Sequence, residues 1–94
     1  MSDSDRVRTH VYVSGHVQGV FYRASTREKA RTEGIDGWVK NRTDGRVEAV
    51  FEGPKPAVEV MIEWCKTGSR AASVEAVERT TEEPTGLEGF EIRR

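Results

Sequence analysis

The chain has 94 residues, which is enough for one compact domain with a modest core and too few for a second domain. Fifteen Lys and Arg residues against 16 Asp and Glu residues give a net charge of -1, which argues against a basic surface for nucleic acid. No apolar run approaches the ~18 residues of a membrane span, so we expect neither nucleic acid nor membrane as a partner.

The chain begins with a polar, acidic stretch, and we expect residues 1–6 to be a disordered N-terminal segment before a domain that covers residues 7–94. A secretory signal peptide would need a basic start and an apolar core, which this stretch lacks. Cys65 is the only cysteine, so no intrachain disulfide can form. These features predict a cytoplasmic protein.

The first predicted strand is VRTHVYVS, residues 7–14, because apolar or β-branched residues alternate with polar ones. It continues into GHVQGVFYR, residues 15–23, where two glycines interrupt the alternation. The next stretch, ASTREKARTE, is rich in helix formers, and Gly34 stands where a left-handed residue would end a helix. We therefore predict a strand, a glycine-containing loop and a helix over residues 22–33.

A hairpin and a second helix are predicted next. IDGWVKN and RVEAVFEG, residues 35–41 and 46–53, have the alternation of strands, and RTDG between them has the composition of a turn. Pro54 and Pro56 stand where prolines open a helix, and apolar residues then recur at helical spacing until Gly68.

The last two predicted strands have weaker patterns. SVEAVERTT, residues 73–81, is rich in β-branched residues, although Val74 and Val77 would fall on opposite faces of a regular strand. GFEIRR predicts a short terminal strand. The resulting order is the split βαβ pattern of the ferredoxin-like fold. We predict an α+β sandwich of this type, with an antiparallel sheet, two helices on one face and a short C-terminal strand.

This topology predicts where a site would form. The first two strands run parallel with the third between them, so their carboxyl ends lie at the same edge of the sheet. The glycine segment leaves the end of the first strand, and Asn41 ends the second. We therefore expect residues 15–20 and Asn41 to converge on one small site.

The chemistry expected at this edge is anion binding. Gly15 and Gly19 can adopt positive φ and let backbone N–H groups form a nest at the amino terminus of the first helix. Arg23 could reach the same anion with a planar guanidinium that suits two phosphoryl oxygens. A tight turn beside a solvated arginine stays open as the alternative. No His, Cys or carboxylate cluster has metal-ligand spacing, so we expect no metal or cofactor.

The two blocks GHVQGVFYR and GWVKNRTDGRVE resemble those of the acylphosphatase family, in a register that runs over residues 7–93. The resemblance implies an enzyme that hydrolyses the carboxyl-phosphate bond of acyl phosphates to carboxylate and inorganic phosphate, without metal or covalent phosphoenzyme. We expect a monomer, although the sequence does not determine the oligomeric state. It implies that Arg23 binds the phosphoryl oxygens and that Asn41 orients the attacking water. The phosphate-binding loop implied by the resemblance consists of Gly15, His16, Val17, Gln18, Gly19 and Val20.

Two other classes of protein stay open. A non-catalytic anion-binding domain would need the same nest but could dispense with Asn41. An RNA-binding module would use Trp38 and Phe51 as a base-stacking pair, but it would need positive charge that this chain lacks. His10 and His16 have no carboxylate and nucleophile at a recognisable spacing, so a catalytic triad is not expected.

Overall fold

A computed structural model of the chain describes residues 6–94. Within this range the elements are β1 (Arg6–His16), α1 (Tyr22–Thr32), β2 (Asp36–Asn41), β3 (Val47–Pro54), α2 (Lys55–Cys65), β4 (Ser73–Glu82) and β5 (Phe90–Ile92). The predicted order and the ferredoxin-like α+β class are confirmed. β1 begins one residue before the predicted start of the domain, and the remainder of the predicted N-terminal segment, residues 1–5, lies outside the described residues.

β3 lies in the middle of the sheet, whose strand order is β4-β1-β3-β2-β5. β1 and β2 each pair antiparallel with β3, and they therefore run parallel to each other as predicted. Val47, the first residue of β3, lies opposite Val13 on one side and opposite Asn41 on the other. The carboxyl ends of β1 and β2 thus lie at one edge of the sheet.

The prediction of a wholly antiparallel sheet is wrong at one side, because β5 pairs with β2 in parallel. β4 runs antiparallel to β1 and therefore ends at the sheet edge where β1 and β2 begin. The segment of residues 83–89 passes the end of β3 at this edge, where Glu52 accepts hydrogen bonds from its backbone. β5 then starts beside the beginning of β2, so it has to run in the same direction.

Both helices cover one face of the sheet, and the core lies between the two layers. Alternate residues of β1 and β3 point into this core, as their period of two predicts. The predicted stripe of α2 is confirmed, with Val58, Met61, Ile62 and Cys65 buried. Burial raises the pKa of the Cys65 thiol to about 12, so this thiol stays protonated and packs as a small apolar group.

A β-bulge resolves the irregular pattern of β4. The register between β1 and β4 shifts at the end of β1, where Gly15 pairs with Val74 and Glu75 is the extra residue. The extra residue changes the alternation, so that Val74 and Val77 both pack against the core. The prediction that Val74 and Val77 lie on opposite faces held only for a regular strand without a bulge.

Trp38 and Phe51 lie on opposite faces of the sheet. Phe51 is fully buried in the core, where its ring stacks on Phe90 with 5.9 Å between ring centroids. The Trp38 ring lies on the other face, in edge contact with His10 at 5.8 Å. The two rings are therefore not placed to stack bases together. In residues 6–94, no helix combines the length and apolar character that crossing a membrane requires.

Glu52 is a fully buried carboxylate on the sheet face opposite the helices. The backbone N–H groups of Thr85, Gly86 and Leu87 donate to it at 3.1, 2.7 and 3.0 Å, and the Arg8 guanidinium donates at 3.3 Å. Burial alone would raise the pKa of Glu52, but these hydrogen bonds outweigh burial and lower it below its usual value. The ionised carboxylate thus holds the segment that carries the chain to β5.

We expect Glu52→Ala to lower the free energy of unfolding by about 2–4 kcal/mol, because it removes the buried acceptor of three backbone N–H groups and of the Arg8 guanidinium. Chemical denaturation monitored by tryptophan fluorescence measures this change. The exposed Glu91→Ala is the control and should change stability by less than about 0.5 kcal/mol. Equal stabilities of the two variants would show that Glu52 does not anchor the segment.

Candidate active site

The first part of the predicted loop belongs to β1. Gly15 and His16 pair with Val74 and Ser73 of β4, so the loop that connects to α1 covers residues 17–21. Gly15 has φ +122°, and a Cβ there would collide with the Ser73 carbonyl oxygen and lie 2.8 Å from the Glu75 amide nitrogen. Glycine is therefore required at the bulge, and the bulge sets the direction in which the chain enters the loop.

The loop itself contains two left-handed residues. Gly19 has φ +76° with open space around its Cα. Glycine is therefore favoured there by the left-handed backbone conformation and not by a lack of space. Phe21 has φ +63°, and in the described part of the chain it is the non-glycine residue with positive φ. Phe21 is also the N-cap of α1, which has no side-chain cap and no acidic residue in its first turn. The first N–H groups of α1 thus face the loop without a side-chain acceptor.

Gln18 connects the loop to the turn between β2 and β3. Its side-chain amide donates to the carbonyl oxygens of Arg42 at 2.7 Å and Arg46 at 2.9 Å. These two residues flank the turn that follows Asn41, so the Gln18 side chain ties together the two segments predicted to converge. The prediction placed Gln18 in the loop without identifying this contact.

The other side of the loop is tied to the end of α2. The Ser69 hydroxyl, which is buried, donates to the Val20 carbonyl oxygen at 2.7 Å. The Tyr22 hydroxyl donates to the Cys65 carbonyl oxygen at 2.8 Å, and burial raises the pKa of this phenol, so that it stays a neutral donor. Sequence reasoning missed Ser69, since a contact across 49 residues leaves no local pattern.

A cavity of about 290 Å³ lies at this edge of the sheet. Four of the predicted site residues line it together: Val17, Gly19, Arg23 and Asn41. The others lie around it, with Gly15 and His16 in β1 and Gln18 and Val20 in contact with neighbouring segments. Its remaining lining residues are Phe21, Tyr22, Ala24 and Ile92. Sequence reasoning missed Ile92, which comes to the cavity because β5 pairs parallel with β2 opposite Val39.

Arg23 and Asn41 bring unpaired polar groups to the cavity. Arg23 is half-buried and forms no salt bridge with any residue in the range 6–94. Asn41 Oδ1 is buried and has no hydrogen-bond partner among the described residues. An unsatisfied buried acceptor is costly, so the edge of the sheet where Asn41 and Arg23 meet is a candidate site for a polar ligand.

A larger groove of about 470 Å³ lies between α1 and β5. Two of its polar side chains already have protein partners, since Arg31 donates to the Phe90 carbonyl oxygen and Asp36 accepts from Gly89 N–H and from Arg6. The smaller cavity, whose arginine and amide oxygen are unpaired, is therefore the stronger candidate for a site.

The fold and this cavity define a small ferredoxin-like protein in which an arginine and an asparagine meet at one edge of the sheet. The sequence profile of the acylphosphatase family matches residues 9–92. An acylphosphatase of Natronomonas pharaonis is 65% identical over 97% of this chain and 99% of its own length. The chain belongs to the acylphosphatase family and is an enzyme of that kind, a hydrolase, as its resemblance implied.

Solved structures agree with this assignment. An acylphosphatase from Coxiella burnetii superposes with a TM-score of 0.94 at 36% identity, over 99% of this chain and 100% of that chain. One from Bacillus subtilis gives a TM-score of 0.91 at 36% identity, over 94% of this chain and 99% of that chain. The ferredoxin-like fold is thus shared over nearly the whole length.

We expect Gly15→Ala to destabilise the fold by more than about 3 kcal/mol, because strain at positive φ adds to a collision with the β4 backbone. Gly34→Ala is the matched control, since Gly34 has φ +70° with open space around it. The free energy of unfolding of the control should fall by about 1–2 kcal/mol, which is the cost of the left-handed conformation alone. Thermal and urea unfolding measure both values, and equal losses would show that the bulge tolerates a side chain.

Proposed function

We propose that this enzyme hydrolyses the carboxyl-phosphate bond of small acyl phosphates, releasing a carboxylate and inorganic phosphate. In this proposal Arg23 and the backbone of residues 15–20 bind the phosphoryl group, and Asn41 orients the attacking water. The observation that carries the proposal is that Arg23 and Asn41 line one cavity, where, among residues 6–94, the Arg23 guanidinium forms no salt bridge and the buried Asn41 Oδ1 has no hydrogen-bond partner.

The phosphoryl group would be neutralised by donors of two kinds. The Arg23 guanidinium presents a planar pair of N–H groups that matches two phosphoryl oxygens. Backbone N–H groups beyond the strand, in residues 17–20 and the uncapped start of α1, would donate to the same group. Gly15 contributes by shaping the bulge that directs this segment. Because a carboxylate is a good leaving group, bond breaking through a loose transition state needs little help from an acid.

Asn41 would hold the water in line with the bond that breaks. Its Oδ1 accepts a hydrogen bond from the water, but an amide cannot take the proton at neutral pH. Among residues 6–94, no carboxylate or histidine side chain lines the cavity. We therefore assign the proton to a phosphoryl oxygen of the substrate, with Asn41 acting through position alone.

The lining of the cavity also favours direct transfer to water without a covalent phosphoenzyme. In the part of the chain that the structure describes, this lining contains no Ser, Thr, Cys or His side chain that could act as a nucleophile. The Tyr22 hydroxyl is buried and already donates to a carbonyl oxygen. The proposal needs no metal, because Arg23 and the backbone donors carry the charge stabilisation.

The proposal also covers the location, oligomeric state and partners of the enzyme. We place it in the cytoplasm as a monomer that acts on a small molecule and binds neither nucleic acid nor membrane. The near-balanced charge, the absence of a disulfide pair and the lack of an apolar segment in the sequence support this placement.

Hydrolysis of benzoyl phosphate and acetyl phosphate by the purified protein, with a chelator present, tests the reaction. We expect turnover that the chelator does not change and that inorganic phosphate inhibits competitively. Loss of activity with chelator would contradict the metal-free mechanism. Phosphate binding without hydrolysis would instead favour a non-catalytic anion-binding domain.

We expect Arg23→Ala to lower kcat/KM at least about 30-fold, which corresponds to about 2 kcal/mol of transition-state stabilisation. Inhibition by inorganic phosphate should weaken in parallel. Arg27→Ala is the control, because Arg27 lies one turn further along α1 and does not line the cavity. Near-normal hydrolysis by the Arg23→Ala variant would show that Arg23 does not bind the phosphoryl group.

We expect Asn41→Ala to fold, to retain inhibition by phosphate and to turn over on the order of a hundredfold more slowly, because only the water loses its position. Steady-state kinetics and the melting temperature separate these effects, and Thr43→Ala in the neighbouring turn is the control. If phosphate binding and folding were lost together, Asn41 would be a structural residue of the turn.

A further inference from the structure

Phe21 is an exposed aromatic residue at the cavity. Its side chain is 81% exposed, against 41% for Val60, the other large hydrophobic residue that is exposed in the described chain. It also adopts the left-handed conformation, which is uncommon for a bulky residue. Neither property stabilises the folded protein, and strained residues of this kind cluster at ligand sites.

The backbone at Phe21 is anchored on both sides. The preceding carbonyl, that of Val20, accepts the buried Ser69 hydroxyl at 2.7 Å. The Phe21 carbonyl accepts the Ser25 N–H at 3.0 Å in the first turn of α1. The Cα of Phe21 is therefore held beside the cavity by hydrogen bonds on both sides, and the ring extends from this fixed point with most of its surface free.

The cavity is larger than the group that Arg23 would bind. At about 30 Å³ per molecule, on the order of ten waters would fill its 290 Å³, so one phosphoryl group occupies only part of it. The remaining lining is apolar and comes from Val17, Phe21, Ala24 and Ile92. Apolar lining with few polar groups is typical of sites for small organic molecules.

We propose that the Phe21 ring binds the acyl group of the substrate and makes the enzyme prefer aromatic or branched acyl phosphates over acetyl phosphate. This inference rests on the proposed function, because it assumes that Arg23 holds the phosphoryl end. With that end fixed, the acyl group has to extend from the cavity past its lining, and Phe21 is the largest exposed apolar surface there. Phe21 is thus a specificity-determining residue that takes no part in bond breaking.

The test compares Phe21→Ala and Phe21→Tyr with the wild-type enzyme, using benzoyl phosphate and acetyl phosphate. Alanine keeps the Cβ and hence a similar backbone cost, so it removes mainly the ring. We expect the ratio of kcat/KM for benzoyl phosphate to that for acetyl phosphate to fall about threefold to tenfold in Phe21→Ala, the range for one aromatic contact. The fall should come through KM, and Phe21→Tyr should restore the ratio.

Val60→Ala removes the other exposed apolar side chain, which lies on α2 and does not line the cavity, and should leave the ratio unchanged. An unchanged ratio in Phe21→Ala, or equal losses on both substrates, would overturn the acyl-binding role while leaving the proposed reaction intact. A wild-type protein that hydrolyses neither substrate would overturn the proposed function and this inference with it.

Discussion

The pairing of β3 with both β1 and β2 is the constraint on which the candidate site depends. Every residue of β3 from 47 to 53 is buried, including the carboxylates of Glu48 and Glu52. Because Val47 lies between Val13 and Asn41, the loop after β1 and the end of β2 can meet only in this register. A slip of one residue would move Asn41 to the other face of the sheet and separate it from Arg23.

The loop of residues 17–21 combines unfavourable local features with strong anchors. Phe21 is strained, and Asn41 beside it has an unpartnered buried oxygen. Both persist because neighbouring segments fix the loop: Gln18 donates to the β2–β3 turn, and Ser69 donates from the end of α2. Groups held in this way need little rearrangement to receive a ligand, which is the basis of electrostatic preorganisation.

Local patterns in the sequence predicted the order of elements and the edge where Arg23 and Asn41 meet, because strand and helix periods are local and the crossover rule is general. Three features depend on distant partners. These are the bulge opposite Gly15, the parallel direction of β5 with Ile92 at the cavity, and the burial of Glu52 by residues 85–87. Of the three, only the bulge left a local trace, which is the irregular alternation of Val74 and Val77. The family resemblance implied roles for individual residues. The hydrogen bonds of Gln18 and Ser69 that anchor the loop could be identified only from the folded structure.

Charge pairing distinguishes the cavity at the sheet edge from the open face of the sheet. On the open face of the sheet, the guanidinium groups of Arg42 and Arg46 lie over the Tyr12 ring and also pair with Asp44. His10 likewise contacts the carboxylates of Glu48 at 2.6 Å and Glu82 at 2.9 Å. A ligand on this face would have to compete with these contacts. At the sheet edge, Arg23 has no such competitor among residues 6–94, so the same type of cation is available there for an anionic substrate.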